Sequence, residues 1–112
     1  MNYEHIGTDI EETSRFRKKI YSKNKKFYEK IFTKNEIEYC LKKIDPYPHF
    51  TARFCAKEAV IKASNNKKLI LTDIEISSKN GKPVLNSPFS GTLSLSHTKN
   101  YAIAVVLLNS IK

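Results

Sequence analysis

RFCAKEAVIKA, residues 53–63, sets seven small or apolar residues around four charges, Arg53, Lys57, Glu58 and Lys62. Phe54, Cys55, Ala56, Ala59, Val60, Ile61 and Ala63 are what a packed helix buries, and the pattern predicts a helix from about Pro48 to Ala63. Glu58 and Lys62 are an i,i+4 pair, which on a solvated face stabilises a helix by only about 0.2–0.5 kcal/mol. Arg53 and Lys57 form a second such row, about 100° further around the helix. Ala52, Ala56, Ala59 and Ala63 are small, so something can approach this helix closely. Two readings of Glu58 stay open here: the solvated side of an amphipathic helix, or a carboxylate held on a core element for chemistry.

Upstream of this helix, Asp45-Pro-Tyr-Pro48 is a break, because proline lacks the N–H donor and disfavours helix in the residue before it. Thr33-Lys-Asn-Glu36 has the form of a capping box opening an earlier helix, with Ile37, Cys40, Leu41 and Ile44 as its buried row. Before that, Phe16/Ile20 and Phe27/Ile31 have the spacing of two short amphipathic helices. Residues 4–10, EHIGTDI, alternate with period two and read as a strand. Downstream, Ile70, Thr72, Ile74 and Ile76 alternate, Asn80-Gly81 is a hairpin turn, and Leu93, Leu95 and His97 alternate again. Tyr101 to Leu108 is continuously apolar, as a strand covered on both faces would be. The expectation is an α+β fold, one domain over residues 1–112, with a helical block packed on a mainly antiparallel sheet.

The chain has 112 residues, 40% of them hydrophobic, and no run of roughly 20 apolar residues such as a membrane span needs. Its start lacks the basic and apolar segments of a secretory signal. Cys40 and Cys55 lack metal-ligand spacing and read as buried thiols of a cytoplasmic protein. The net charge of +9 favours an acidic or phosphorylated partner. From Thr13 to Tyr28 there are Arg15, Arg17, Lys18, Lys19 and further lysines but no acidic residue.

Phosphate-binding glycine fingerprints and a nucleophile elbow are absent. Polar residues in apolar company remain: Asp9 on the first strand, then Arg53, Lys57, Glu58 and Lys62 on the long helix, and His97 at a strand end. Each alone has an ordinary structural reading, Asp9 as a strand-end aspartate and His97 as a structural histidine. Together they suit Mg²⁺ on carboxylate oxygens with cations around a phosphate. His5 and His49 receive no role.

The motifs IGTDIEE (6–12), KIFTKNE (30–36), ARFCAKEAVIKA (52–63), DIEI (73–76), NGKPVL (80–85) and LSLSHTKNYAIAVV (93–106) resemble, in order and spacing, the holo-acyl-carrier-protein synthase family. These are small bacterial 4′-phosphopantetheinyl transferases, and the resemblance covers nearly the whole chain. It implies transfer of the 4′-phosphopantetheine arm from coenzyme A to a serine of apo acyl carrier protein, in fatty acid biosynthesis. It also implies Mg²⁺, release of adenosine 3′,5′-bisphosphate, and a homotrimer with active sites at subunit interfaces. Carried over by position, Asp9 and Glu58 are the Mg²⁺ ligands and, with Lys62, the catalytic set. Arg53, Lys57 and Lys62 would line the coenzyme A phosphates. Gly81, Lys82, Pro83, His97 and Thr98 would contact its nucleotide portion. Arg15, with Lys18 and Lys19 beside it, would dock the acidic carrier. Water beside Asp9 or Glu58 is the expected acceptor of the serine proton, since a phosphate-filled site opposes the lowered pKa that Lys62 would need.

Two positions depart from the family pattern. Ser64-Asn-Asn-Lys-Lys68 stands where a Gly-rich loop is usual, and His5 replaces a small residue. The alternative from another class is a basic, non-enzymatic domain binding nucleic acid or an acidic protein. No nucleic-acid-reading motif is recognisable, so neither nucleic acid nor membrane is expected as a partner.

Overall fold

The computed structural model describes residues 3–86 and 88–109. Strand β1 (Tyr3–Glu12) leads to α1 (Ser14–Arg17), a 3₁₀ turn at Tyr21–Lys23, α2 (Lys25–Glu29), α3 (Lys34–Leu41) and α4 (Pro46–Ser64). A second 3₁₀ turn (Leu71–Asp73) precedes β2 (Glu75–Lys79), β3 (Lys82–Asn86), β4 (Gly91–His97) and β5 (Tyr101–Asn109). All pairings are antiparallel: β1, β5 and β4 form one sheet with β5 central, and β2 and β3 form a hairpin. This is the expected α+β architecture.

Local sequence signals account for the element boundaries. The Thr33 hydroxyl accepts from the Glu36 N–H at 3.3 Å, and the Glu36 carboxylate accepts from the Thr33 N–H at 2.8 Å, closing the capping box of α3. Asp45 caps α4 by accepting from the Tyr47 N–H, and Pro46 occupies the first turn, where a missing donor costs nothing. Asn80 and Gly81 take φ values of 53° and 77°, the turn that matches the twist of β2 and β3. At the end of α4, Asn65 adopts left-handed φ 52°, the cap conformation that glycine usually supplies.

The core has two parts. One packs the α4 residues Cys55, Ala56, Ala59 and Val60 against Ala102, Ala104, Val106 and Leu108 of β5. The other is an aromatic cluster around Phe16, Tyr28, Phe32, Phe50 and Phe54. Strand β1 turns its apolar residues outward: Ile6 and Ile10 are 68% and 64% exposed, while Gly7 is buried. The reason is space. A Cβ at Gly7 would lie 2.0 Å from the Ala59 carbonyl oxygen, so only glycine lets strand and helix backbones touch. Gly7→Ala is therefore expected to lose about 1–3 kcal/mol of stability in denaturant titration. Unchanged stability would show that the seam yields freely.

Several expected core positions lie outside it. Helix α1 ends at Arg17, before the turn that would carry Ile20 inward, and α3 ends at Leu41. Ile20, Leu41 and Ile44 are consequently exposed, Ile44 completely. The strand expected from Ile70 begins only at Glu75, because the Asp73 carboxylate accepts from the Ile70 N–H at 3.1 Å and closes a 3₁₀ turn. Tyr28 is fully buried, its hydroxyl reaching the carbonyls of Phe16 and Lys19. Strand β5 is covered on one face only, leaving Tyr101, Ile103 and Val105 exposed in the single chain.

Candidate active site

The seam at Gly7 brings Asp9 of β1 alongside Glu58 and Lys62 of α4. The Lys62 ammonium donates to Asp9 Oδ1 at 2.9 Å and to the Thr8 carbonyl at 3.1 Å. Its ion pair therefore spans the strand–helix crossing and does not run along α4 to Glu58. Glu58 is half-buried, and its carboxyl is held above its ordinary pKa, first by burial and then by the negative charge of Asp9. Lys62 and Arg15 act in the opposite sense. A carboxyl whose ionisation is disfavoured by burial and by a neighbouring carboxylate is one that a divalent cation relieves.

The donor set fits Mg²⁺. Both groups are hard oxygens, and Mg²⁺ characteristically takes one or two carboxylates and completes its shell with water and phosphate. Among the described residues no group of three or more His, Cys, Asp or Glu is placed to hold a metal, so the protein offers an open pair and not a closed cage. Beneath the pair, burial and then Asp9 push the Cys55 thiol up to about 12, and it lies 3.5 Å from the Ala102 carbonyl. Cys55 is a protonated packing group, not a nucleophile.

A second group forms where α4 meets the β2–β3 hairpin and the end of β4. Arg53, Gly81, Pro83 and His97 line a cleft of about 180 Å³ together with Tyr39 and His49. The Arg53 guanidinium lies 4.0 Å from the centre of the Tyr39 ring, and the His49 and His97 rings meet edge to face at 4.8 Å. Burial, then His97 and the cations Lys43 and Arg53, bring His49 down to about 4, so it is neutral at physiological pH. Thr98 lines the adjoining cleft, on the other side of the histidine pair. Lys82 is exposed on β3 and lines neither cleft.

Lys57 does not face either group, contrary to the expectation that it lines phosphates. It is fully buried, with its ammonium 2.6 Å from Glu36 Oε1, 3.0 Å from the Leu71 carbonyl and 2.6 Å from the Ile74 carbonyl. The other Glu36 oxygen accepts from the Ile76 N–H at 2.7 Å. The capping carboxylate thus has a second task, joining α3, α4 and β2. On α1, Arg15 pairs with Glu11 at 2.7 Å and lies 4.6 Å from the centre of the Phe54 ring, while Lys18 and Lys19 beyond it are exposed. Tyr39 and His49 are the cleft residues that sequence patterning missed, and neither has a spacing that separates it from ordinary helix residues.

The nucleic-acid alternative loses much of its stacking surface, because Phe16 and Tyr28 of the basic segment are wholly buried and Tyr21 and Phe27 partly so. Among the described residues no helix is long and apolar enough to cross a membrane. Residues 5–106 match the 4′-phosphopantetheinyl transferase superfamily. The chain is 42% identical, over 96% of its length and 98% of the relative's, to a holo-[acyl-carrier-protein] synthase of Chlamydia felis. It resembles the crystal structure of a Bacillus anthracis holo-(acyl-carrier-protein) synthase in complex with CoA (3′,5′-ADP), with TM-score 0.81, 36% identity and coverage of 95% and 96% of the two chains. A Helicobacter pylori synthase in complex with coenzyme A aligns with TM-score 0.82 at 30% identity, covering 93% and 99%. Matched over most of its residues, and sharing sequence and architecture with these synthases, the chain belongs to the 4′-phosphopantetheinyl transferase superfamily.

Proposed function

We propose that this chain, acting as one domain, transfers the 4′-phosphopantetheine arm of coenzyme A to a serine of an apo acyl carrier protein and releases adenosine 3′,5′-bisphosphate. The meeting of Asp9, Glu58 and Lys62 at the β1–α4 crossing carries this reading. Coenzyme A bound to the Bacillus anthracis and Helicobacter pylori relatives supports it.

Asp9 and Glu58 are the residues that would hold Mg²⁺, which when bound neutralises charge on the pyrophosphate. Lys62, already oriented by Asp9 and Thr8, holds a phosphate oxygen and stabilises charge as the bisphosphate departs. The serine oxygen forms its bond to the phosphorus bearing pantetheine as the pyrophosphate P–O bond breaks, and the serine proton passes to water beside Asp9 or Glu58. Arg53 and the walls of its cleft orient the nucleotide, so positioning and charge neutralisation account for most of the rate.

The exposed apolar residues Ile6, Ile10, Tyr101, Ile103 and Val105 share one face of the sheet, which supports a homotrimer closed over that face. In such a trimer the carboxylate pair of one subunit meets the Arg53 cleft of the next. Arg15, Lys18 and Lys19 present the positive surface for an acidic carrier. Use of coenzyme A and the buried free thiols Cys40 and Cys55 fit a cytoplasmic enzyme working in fatty acid synthesis. The test is direct: with coenzyme A, Mg²⁺ and apo carrier, the carrier should gain the mass of the phosphopantetheine arm. No gain with an authentic carrier refutes the reading.

A further inference from the structure

Arg53 is 4% exposed, yet its Nε has no hydrogen-bond partner, and among the described residues it makes no ion pair. Buried cations are ordinarily compensated by a carboxylate, because an unpaired one is costly. The contrast with Lys57 one turn on is direct, since that cation has Glu36 and two carbonyls. The cleft around Arg53 has no carboxylate in its lining. Its guanidinium lies over the π face of Tyr39, 4.0 Å from the ring centre. A ring face attracts a cation without neutralising it, so the full charge stays available to a ligand.

We propose that Tyr39 is a positioning residue for coenzyme A: its ring seats Arg53 in the cleft as an uncompensated cation, for an anionic phosphate oxygen of the nucleotide. This rests on the coenzyme A reading above. Tyr39 is itself fixed from two elements. Burial opposes ionisation of its phenol, but Arg53, a hydrogen bond with Ser78 of β2 and the nearby Lys43 outweigh it and leave the pKa below the ordinary tyrosine value. Lys43 also lies 4.6 Å from the centre of the Tyr39 ring. His49 is neutral, and Arg53 is the permanently charged side chain among the residues lining this cleft.

The test compares Tyr39→Phe, Tyr39→Leu and Tyr39→Glu in the full chain. Calorimetric titration with adenosine 3′,5′-bisphosphate is paired with steady-state transfer to the carrier. Phe keeps the ring face and should bind within about twofold of wild type. Leu removes the face and should weaken binding roughly tenfold. Glu supplies the missing carboxylate and should weaken it further, because Arg53 is then neutralised. In both weakened variants the coenzyme A KM should rise while kcat at saturation and the carrier KM hold. Equal losses in Phe and Leu, undiminished binding in Leu, or a fall in kcat with KM unchanged would each overturn the proposal. Should Leu fail to fold, the Phe–Glu difference decides: equal affinity in those two refutes it. A wild-type protein that binds no bisphosphate and transfers nothing would instead remove the coenzyme A reading, and this proposal with it.

Discussion

Asp9→Asn and Glu58→Gln proteins are expected to lose transfer by roughly 10²–10³-fold or more while remaining folded. Each substitution keeps the side chain's shape and removes one hard, charged oxygen pair from the site, so extra Mg²⁺ should restore little activity. The stability side has a definite sign. Glu58 is held above its ordinary pKa, so its ionised form is disfavoured in the fold, and glutamine removes that cost. The thermal midpoint of Glu58→Gln should hold or rise slightly. Asp9→Asn loses an ion pair with a largely exposed Lys62, which contributes at most about 1 kcal/mol. Carrier mass against time, with a calorimetric melt of each variant, separates the two effects. Turnover within threefold of wild type at limiting Mg²⁺ would remove the carboxylate from the metal assignment.

The second large effect concerns stability. Lys57→Met should destabilise the chain by about 3–5 kcal/mol, because it strands the Glu36 carboxylate in the core. Adding Glu36→Gln should recover part of that loss, since it removes the buried charge and its single amide oxygen still accepts from one of the two N–H groups, of Thr33 or Ile76, that the carboxylate serves. Chemical denaturation of the single and double variants reads the coupling. The same experiment distinguishes a structural Lys57 from one that contacts phosphates. A phosphate-binding lysine would raise the coenzyme A KM and leave stability almost untouched.

Lys57 also shows where sequence reasoning stops. The i,i+4 rows on α4 were legible, and Arg53 and Lys57 do lie around the helix from Glu58 and Lys62. Which neighbour each row meets was not, because the acceptors of Lys57 come from three separate places: Glu36, Leu71 and Ile74. Local signals transferred well where their physics is contained in a few residues, as in the Thr33–Glu36 box and the Asn80-Gly81 turn. Periodicity failed where a helix was shorter than its pattern, leaving Ile20 and Ile44 in solvent. For β1, alternation gave a strand but not its inner face, which Gly7 decides through backbone contact with Ala59. The Asp9–Glu58 pairing was reached through resemblance to a family, since nothing within either segment points to the other. Tyr39 and His49 had no such guide and emerge only from the cleft itself.

The order of strands in the sheet sets a timetable for this protein. Strand β1 leaves the ribosome well before its ladder partner β5, whose Ala104 lies opposite Asp9. Until residues 101–109 have been made, β1 has no strand to pair with, and only its seam with α4 sets Asp9 against Glu58. A nascent chain that already contains every proposed catalytic residue therefore still lacks the central strand of the sheet that carries Asp9. Joining the first strand to the last is a closure of high contact order, which slows folding and exposes the unpaired edge meanwhile. The completed sheet under the carboxylate pair should thus appear late in the life of each chain, after the arrival of β5.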